Sequence, residues 1–130
     1  VLQKINSEVI KGAIAEQFTA QHLYYLNSTQ MAPELFYWLR DKKNQNAEVD
    51  FIINIGEEII PVEVKASTNE HIKSMVVFAA LKKIKWGIKI SQVELQTKNI
   101  DQQSSIDSSK FKLINVPFYA IERLAQLLSI

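Results

Sequence analysis

The chain of 130 residues contains no cysteine. A disulfide framework and every thiolate zinc site are thereby excluded, and the absence agrees with a reducing cytoplasm, the location expected for it. Glycine and proline are scarce, with three of each, so no glycine-rich phosphate loop and no low-complexity segment can be assembled from them. Long hydrophobic runs are missing as well. The longest apolar stretch, within Ser74–Leu81, falls far short of the ~20 residues that a membrane-spanning helix needs. Charge of one sign is not in excess: 15 Lys and Arg stand against 14 Asp and Glu, for a net +1. Binding to nucleic acid would therefore rest on local patches and not on a global field. The two histidines, His22 and His71, lie too far apart to make a site by themselves and read as surface or capping residues. A first residue that is Val and not Met is expected of a fragment cut from a longer chain.

What is present suits one domain. A hydrophobic fraction of 47% beside a charged fraction of 22% gives a chain of this length enough apolar surface for a single core. From Ser7 to about Asn27 the pattern is helical. Its buried arc is read as Val9, Ala13, Ala20, Leu23 and Tyr24, continuing through Ile10, Ile14 and Phe18, with Glu16 at the edge. Glu34–Arg40 is aromatic-rich and reads as a strand. Two further apolar runs, separated by the Gly56 turn, form a hairpin, so that three strands make an antiparallel meander. Spacings of three and four among Ile72, Met75, Val76, Ala79, Ala80 and Ile84 predict a helix from about Glu70 to Lys85. Trp86–Ser91 follows as a strand parallel to the one before the helix. Lys98–Lys110, rich in Ser and Gln, reads as a mobile loop, Phe111–Val116 as a last strand, and Phe118–Ile130 as a closing helix with Phe118 and Tyr119 in the core. The expected fold is α/β, a mixed sheet of meander plus parallel strand between helices in three α/β/α layers.

The hairpin carries charges where a core is expected. Strict alternation puts Glu48, Asp50 and Ile52 on one face of its first strand and Pro61, Glu63 and Lys65 on one face of its second. A charge on a buried strand must be paired, bind a metal or do chemistry. The plain alternative is a structural salt-bridge cluster of Asp50, Glu63 and Lys65 that holds the hairpin.

Glu16 on a first helix, Asp50 on a second strand and Glu63-Val64-Lys65 on the strand beside it resemble the PD-(D/E)XK nuclease superfamily, whose fold is restriction-endonuclease-like. Gly12–Phe18, Phe36–Trp38, Ala47–Ile53, Ile60–Lys65 and Ile114–Tyr119 are similar to the nuclease-like C-terminal domain that follows the ATPase module in a prokaryotic AAA-type ATPase family. Val49 stands where the superfamily's name has Pro, and the chain carries no ATPase module.

The resemblance implies metal-dependent hydrolysis of DNA, with Asp50, Glu63 and Lys65 catalytic and Asp50, Glu63 and Glu16 holding the metal. Carboxylates meeting at ~4 to 5 Å repel by roughly 3 to 4 kcal/mol per pair, so a cation must sit among them. An all-oxygen donor set selects Mg²⁺ or Mn²⁺. Arg40, Lys42 and Lys43, beside the hairpin, are the expected nucleic-acid contacts. DNA and an AAA-type ATPase, in cis or in trans, are the expected partners. The other function that the residues allow is a catalytically silent DNA- or protein-interaction module attached to such an ATPase.

Overall fold

The elements follow the chain as helix, three-strand meander, helix, strand, hairpin and helix. A computed structural model describes residues 7–26, 36–40, 47–55, 57–66, 72–103 and 108–128. Helix α1 spans Ser7–Leu26, β1 Phe36–Arg40, β2 Ala47–Ile55, β3 Glu58–Val64, α2 Lys73–Lys82 and β4 Trp86–Ser91. They are followed by β5 Gln96–Gln103, β6 Ser108–Pro117, a 3₁₀ segment Phe118–Arg123 and α3 Leu124–Leu128. The six strands form one open sheet in the order β1-β2-β3-β4-β6-β5. β1, β2 and β3 pair antiparallel, β4 pairs parallel with both β3 and β6, and β5 pairs antiparallel with β6.

Each face of the sheet carries its own core, which makes the domain three-layered. On one face Leu23 of α1, Ile121 and Leu124 pack on Ile53, Ile60, Val62, Ile88, Ile90, Ile114 and Val116. On the other, Met75, Val76, Phe78 and Ala79 of α2 pack on Val49, Phe111 and Leu113. β3 and β4 contribute nearly continuous apolar runs because they lie in the middle of the sheet. The fold is thus α/β with a mixed sheet, as the order of apolar patterns predicts.

Four local expectations are corrected. The buried stripe of α1 is Ala15, Thr19 and Leu23, whereas Ile10, Ile14 and Phe18 are 41%, 60% and 38% exposed. Residues four apart stack on one face, and the small Ala15 and Thr19 let the helix approach the sheet closely. The stretch read as a loop holds β5, whose Gln96–Gln103 pair residue for residue with Asn115–Ser108 of β6. An edge strand needs only backbone pairing, and its exposed Lys98 and Asp101 guard that edge against further strands. Tyr119 is 79% exposed and not core, because the chain leaves β6 as a 3₁₀ segment that turns this side chain outward. Helix α2 also ends sooner than its lysine-rich tail suggests. Lys83 is left-handed at φ 52°, and its N–H donates to Ala79 O at 2.8 Å, closing the helix.

Gly87 sits where β4 passes under α2. A Cβ there would lie 2.5 Å from Met75 Sδ and 3.0 Å from the Phe111 ring. Gly87→Ala is therefore expected to lose about 1 to 3 kcal/mol by overpacking, read as a lower urea midpoint with an unchanged slope. Among the described residues no helix is long and apolar enough to cross a membrane.

Candidate functional site

The site forms where β2 parts from β3. Their ladder runs from Ile55↔Glu58 to Phe51↔Val62 and stops. Opposite β1 the register steps from Phe36↔Ile52 to Trp38↔Val49, so Tyr37 stands opposite two residues, Asp50 and Phe51, in a β-bulge. The bulge shifts the alternation. Val49 and Ile52 pack in the α2 core while Phe51 and Ile53 pack in the α1 core. Asp50, next to Val49, is thereby turned toward the α1 side, and Ile52 does not share its face as strict alternation predicts.

Asp50 takes over where the backbone ladder ends: its Oδ2 accepts the Val64 N–H at 2.8 Å. The next residue, Lys65, donates its N–H to Ile90 O of β4 at 2.8 Å. Both neighbours of β3 thus secure its end. Glu63 and Lys65, two apart, stand on one side of that end with Lys65 Nζ 3.0 Å from Glu63 Oε1. Lys65 keeps partial access to solvent while Glu63 is 8% exposed. The other oxygen, Glu63 Oε2, is buried and has no hydrogen-bond partner among the described residues.

The cluster is electrostatically strained. Burial, followed by the negative charge of Asp50, pushes the Glu63 carboxyl up to about 7 against the pull of Lys65. Asp50 is also raised, chiefly by burial, with the Val64 hydrogen bond and Lys65 opposing and Glu48 adding. Glu16 lies on α1 one residue beyond the buried Ala15. It is raised by desolvation, then by Asp50 and Glu48, with Lys65 in opposition. Charges that act on one another in this way place Glu16, Glu48, Asp50, Glu63 and Lys65 in one neighbourhood. Glu48 is exposed, and its backbone N–H donates to Ser74 Oγ of α2 at 3.2 Å. Among the described residues, no three acidic or histidine side chains converge closely enough to hold one metal ion.

Arg40 ends β1 opposite Ala47, and Lys42 and Lys43 lie outside the described residues, as does His71. Other basic residues have local partners: Lys85 with Glu58 at 3.2 Å, Lys110 with Asp101 at 3.7 Å, and Lys112 over the Trp86 ring at 5.5 Å.

Two features are absent from the sequence reading. Asn115, 5% exposed, accepts from Ser91 Oγ at 2.9 Å and donates Nδ2 to Val93 O and Glu94 O at 2.7 and 3.2 Å. This network ties down the loop after β4. A lone polar residue in an otherwise apolar run of β6 is the available signal. The second is a groove lined by Ile14, Phe18 and Phe118, which stays hidden while Ile14 and Phe18 are read as core.

Fold and site together define an α/β domain with a mixed sheet and a strained acidic cluster at the end of its central hairpin. The chain matches the family described as Domain of unknown function (DUF4143) over residues 11–119, and it belongs to that family. The family sits with AAA-type ATPases. No curated protein matches the chain.

Proposed function

We propose that the domain hydrolyses phosphodiester bonds of DNA with the help of a divalent cation, Mg²⁺ or Mn²⁺, at a PD-(D/E)XK-type site. The observation that carries this reading is Glu63, a buried carboxylate with one oxygen on Lys65 and the other without a hydrogen-bond partner among the described residues. An ionised group in that position is costly unless a cation meets it, and an all-oxygen donor set fits a hard one. Asp50 and Glu63 would hold the ion, with Glu16 supporting a second ion or its hydration shell. Bound there, the ion supplies neutralisation of phosphoryl charge and a more acidic attacking water.

The chain's own part falls to Lys65 and its neighbours. Lys65, steadied by Glu63, orients the water and stabilises the charge that grows on the phosphate. The water oxygen bonds to phosphorus, the bond to the departing sugar oxygen breaks, and that oxygen is protonated as the water proton passes to solvent. Asp50 holds the end of β3 through Val64 N–H, which keeps Lys65 in place. The proposal includes an AAA-type ATPase as partner, in cis or in trans.

Incubation with supercoiled plasmid and Mg²⁺ or Mn²⁺ is expected to give nicked and then linear DNA, and chelation to stop it. Intact plasmid across a range of divalent metals would overturn the reading. The silent interaction module would then stand, favoured by the lack of three converging acidic groups among the described residues.

A further inference from the structure

Ala66, Gln92 and Phe118 line a groove of about 320 Å³ with Ile14, Phe18 and Lys11 of α1. Its floor lies just past the ends of β3, β4 and β6, which run parallel. The carboxyl edge of parallel strands is where open α/β sheets take their ligands. On the β3 side the groove begins at Ala66, the residue after Lys65.

We infer that this groove takes an unstacked base of single-stranded nucleic acid, held beside the phosphate that Lys65 faces; the inference rests on the hydrolytic reading of that site. Phe18 supplies the platform. It is 38% exposed and pre-arranged on two sides, by the His22 ring at 4.1 Å and the edge of Phe118 at 6.0 Å. His22 is itself held, its Nδ1–H donating to Phe18 O at 2.9 Å. Such an aromatic surface loses little freedom on stacking.

Charge and size select the occupant. No described carboxylate lines the groove, and exposed Lys11 stands at its rim. A cation beside an exposed ring is how proteins grip a single strand through phosphate and base together. A volume of about 320 Å³ lies at the small end of ligand sites and suits one nucleotide. Gln92 offers both a donor and an acceptor to the edge of a base, and the Asn115 network holds the loop that carries it. In a duplex the faces of the bases are covered by their neighbours, so the groove selects single strands, frayed ends or flaps.

The test is fluorescence anisotropy of the full chain, with chelator present, on a fluorescein-labelled oligo(dT) strand of about 15 nucleotides and on a blunt duplex of equal length. The single strand is expected to bind at least about tenfold more tightly. Phe18→Ala is expected to weaken single-strand binding about 5- to 150-fold, the range that one stacked base commands, with Phe18→Trp restoring it. Duplex binding and the thermal midpoint should be unchanged. Equal affinity for both probes, or a Phe18→Ala variant with unaltered single-strand affinity, overturns the inference. So does a Phe18→Ala variant whose only change is a smaller oligomer on gel filtration, which would make the groove an interface between copies. If the strand binds as expected but no metal supports cleavage, only the hydrolytic reading fails. If plasmid is cleaved while the two probes bind alike, only the groove inference fails.

Discussion

Glu63→Gln is expected to stabilise the metal-free protein at pH 8 and to change little at pH 4. The Glu63 carboxyl titrates at about 7 in the folded chain against an ordinary 4.5, and the difference corresponds to about 3 kcal/mol between its two protonation states. A raised acid favours the folded state while it is protonated. Between pH 4.5 and about 7 the folded chain therefore binds more protons than the unfolded one, and stability falls as pH rises. Below that window the carboxyl is protonated in both states and the effect is absent. The amide of the Gln variant is neutral throughout, so the fall contributed by this position would vanish. Lys65 would lose its ionic partner, but it retains access to solvent and that loss is worth at most about 1 kcal/mol. Urea titrations of both proteins from pH 4 to 8 measure the difference. Parallel curves would show that Glu63 is not strained. In the proposed site, Mg²⁺ or Mn²⁺ is expected to raise the midpoint of the parent protein at pH 8 and to do so much less in the Gln variant.

The second large effect concerns turnover. Lys65→Ala and Asp50→Asn are each expected to lower DNA cleavage by about 10²- to 10⁴-fold, the range for removal of a positioned charge from a phosphoryl or acid-base centre. Asp50→Asn is the cleaner of the two for interpretation. An Asn side-chain oxygen still accepts the Val64 N–H now bonded to Asp50 at 2.8 Å, so the end of β3 keeps its anchor while the charge disappears. Asp50→Ala removes both, and is expected to cost roughly another 1 to 3 kcal/mol of stability because a partly buried N–H loses its acceptor. Single-turnover cleavage beside a thermal melt separates the two consequences. If Asp50→Asn cleaves at the parent rate, that carboxylate has no part in the chemistry.

The acidic cluster is legible in the sequence because a charge inside an apolar strand is expensive. Asp50, Glu63 and Lys65 stand out against Phe51, Ile52, Ile53, Val62 and Val64 without knowledge of any contact. Glu16 is legible for a related reason, since its angular position beside Leu23 places it at the edge of a packed face under either reading of α1. The meander and the β3–α2–β4 crossover follow from the order of periodicities. What escapes depends on partners remote in sequence. β5 is polar because it lies at the edge of the sheet, and only its neighbour β6 makes it a strand. Periodicity misplaces the face of α1 because apolar residues surround that helix, and the sheet takes the narrow Ala15–Thr19–Leu23 side. The bulge leaves no mark in a pattern of alternation that is taken as unbroken.

That bulge divides β2 into two phases. Residues through Val49 follow one alternation and those from Phe51 onward follow the other. Removing Asp50, the one residue between them, would merge the phases, leave an apolar strand still able to pair, and keep the remaining side chains in their present layers. Loss of the acidic cluster with survival of the sheet is therefore a matter of one codon's deletion, a route by which a domain of this shape can become a scaffold without first losing a single charged residue elsewhere.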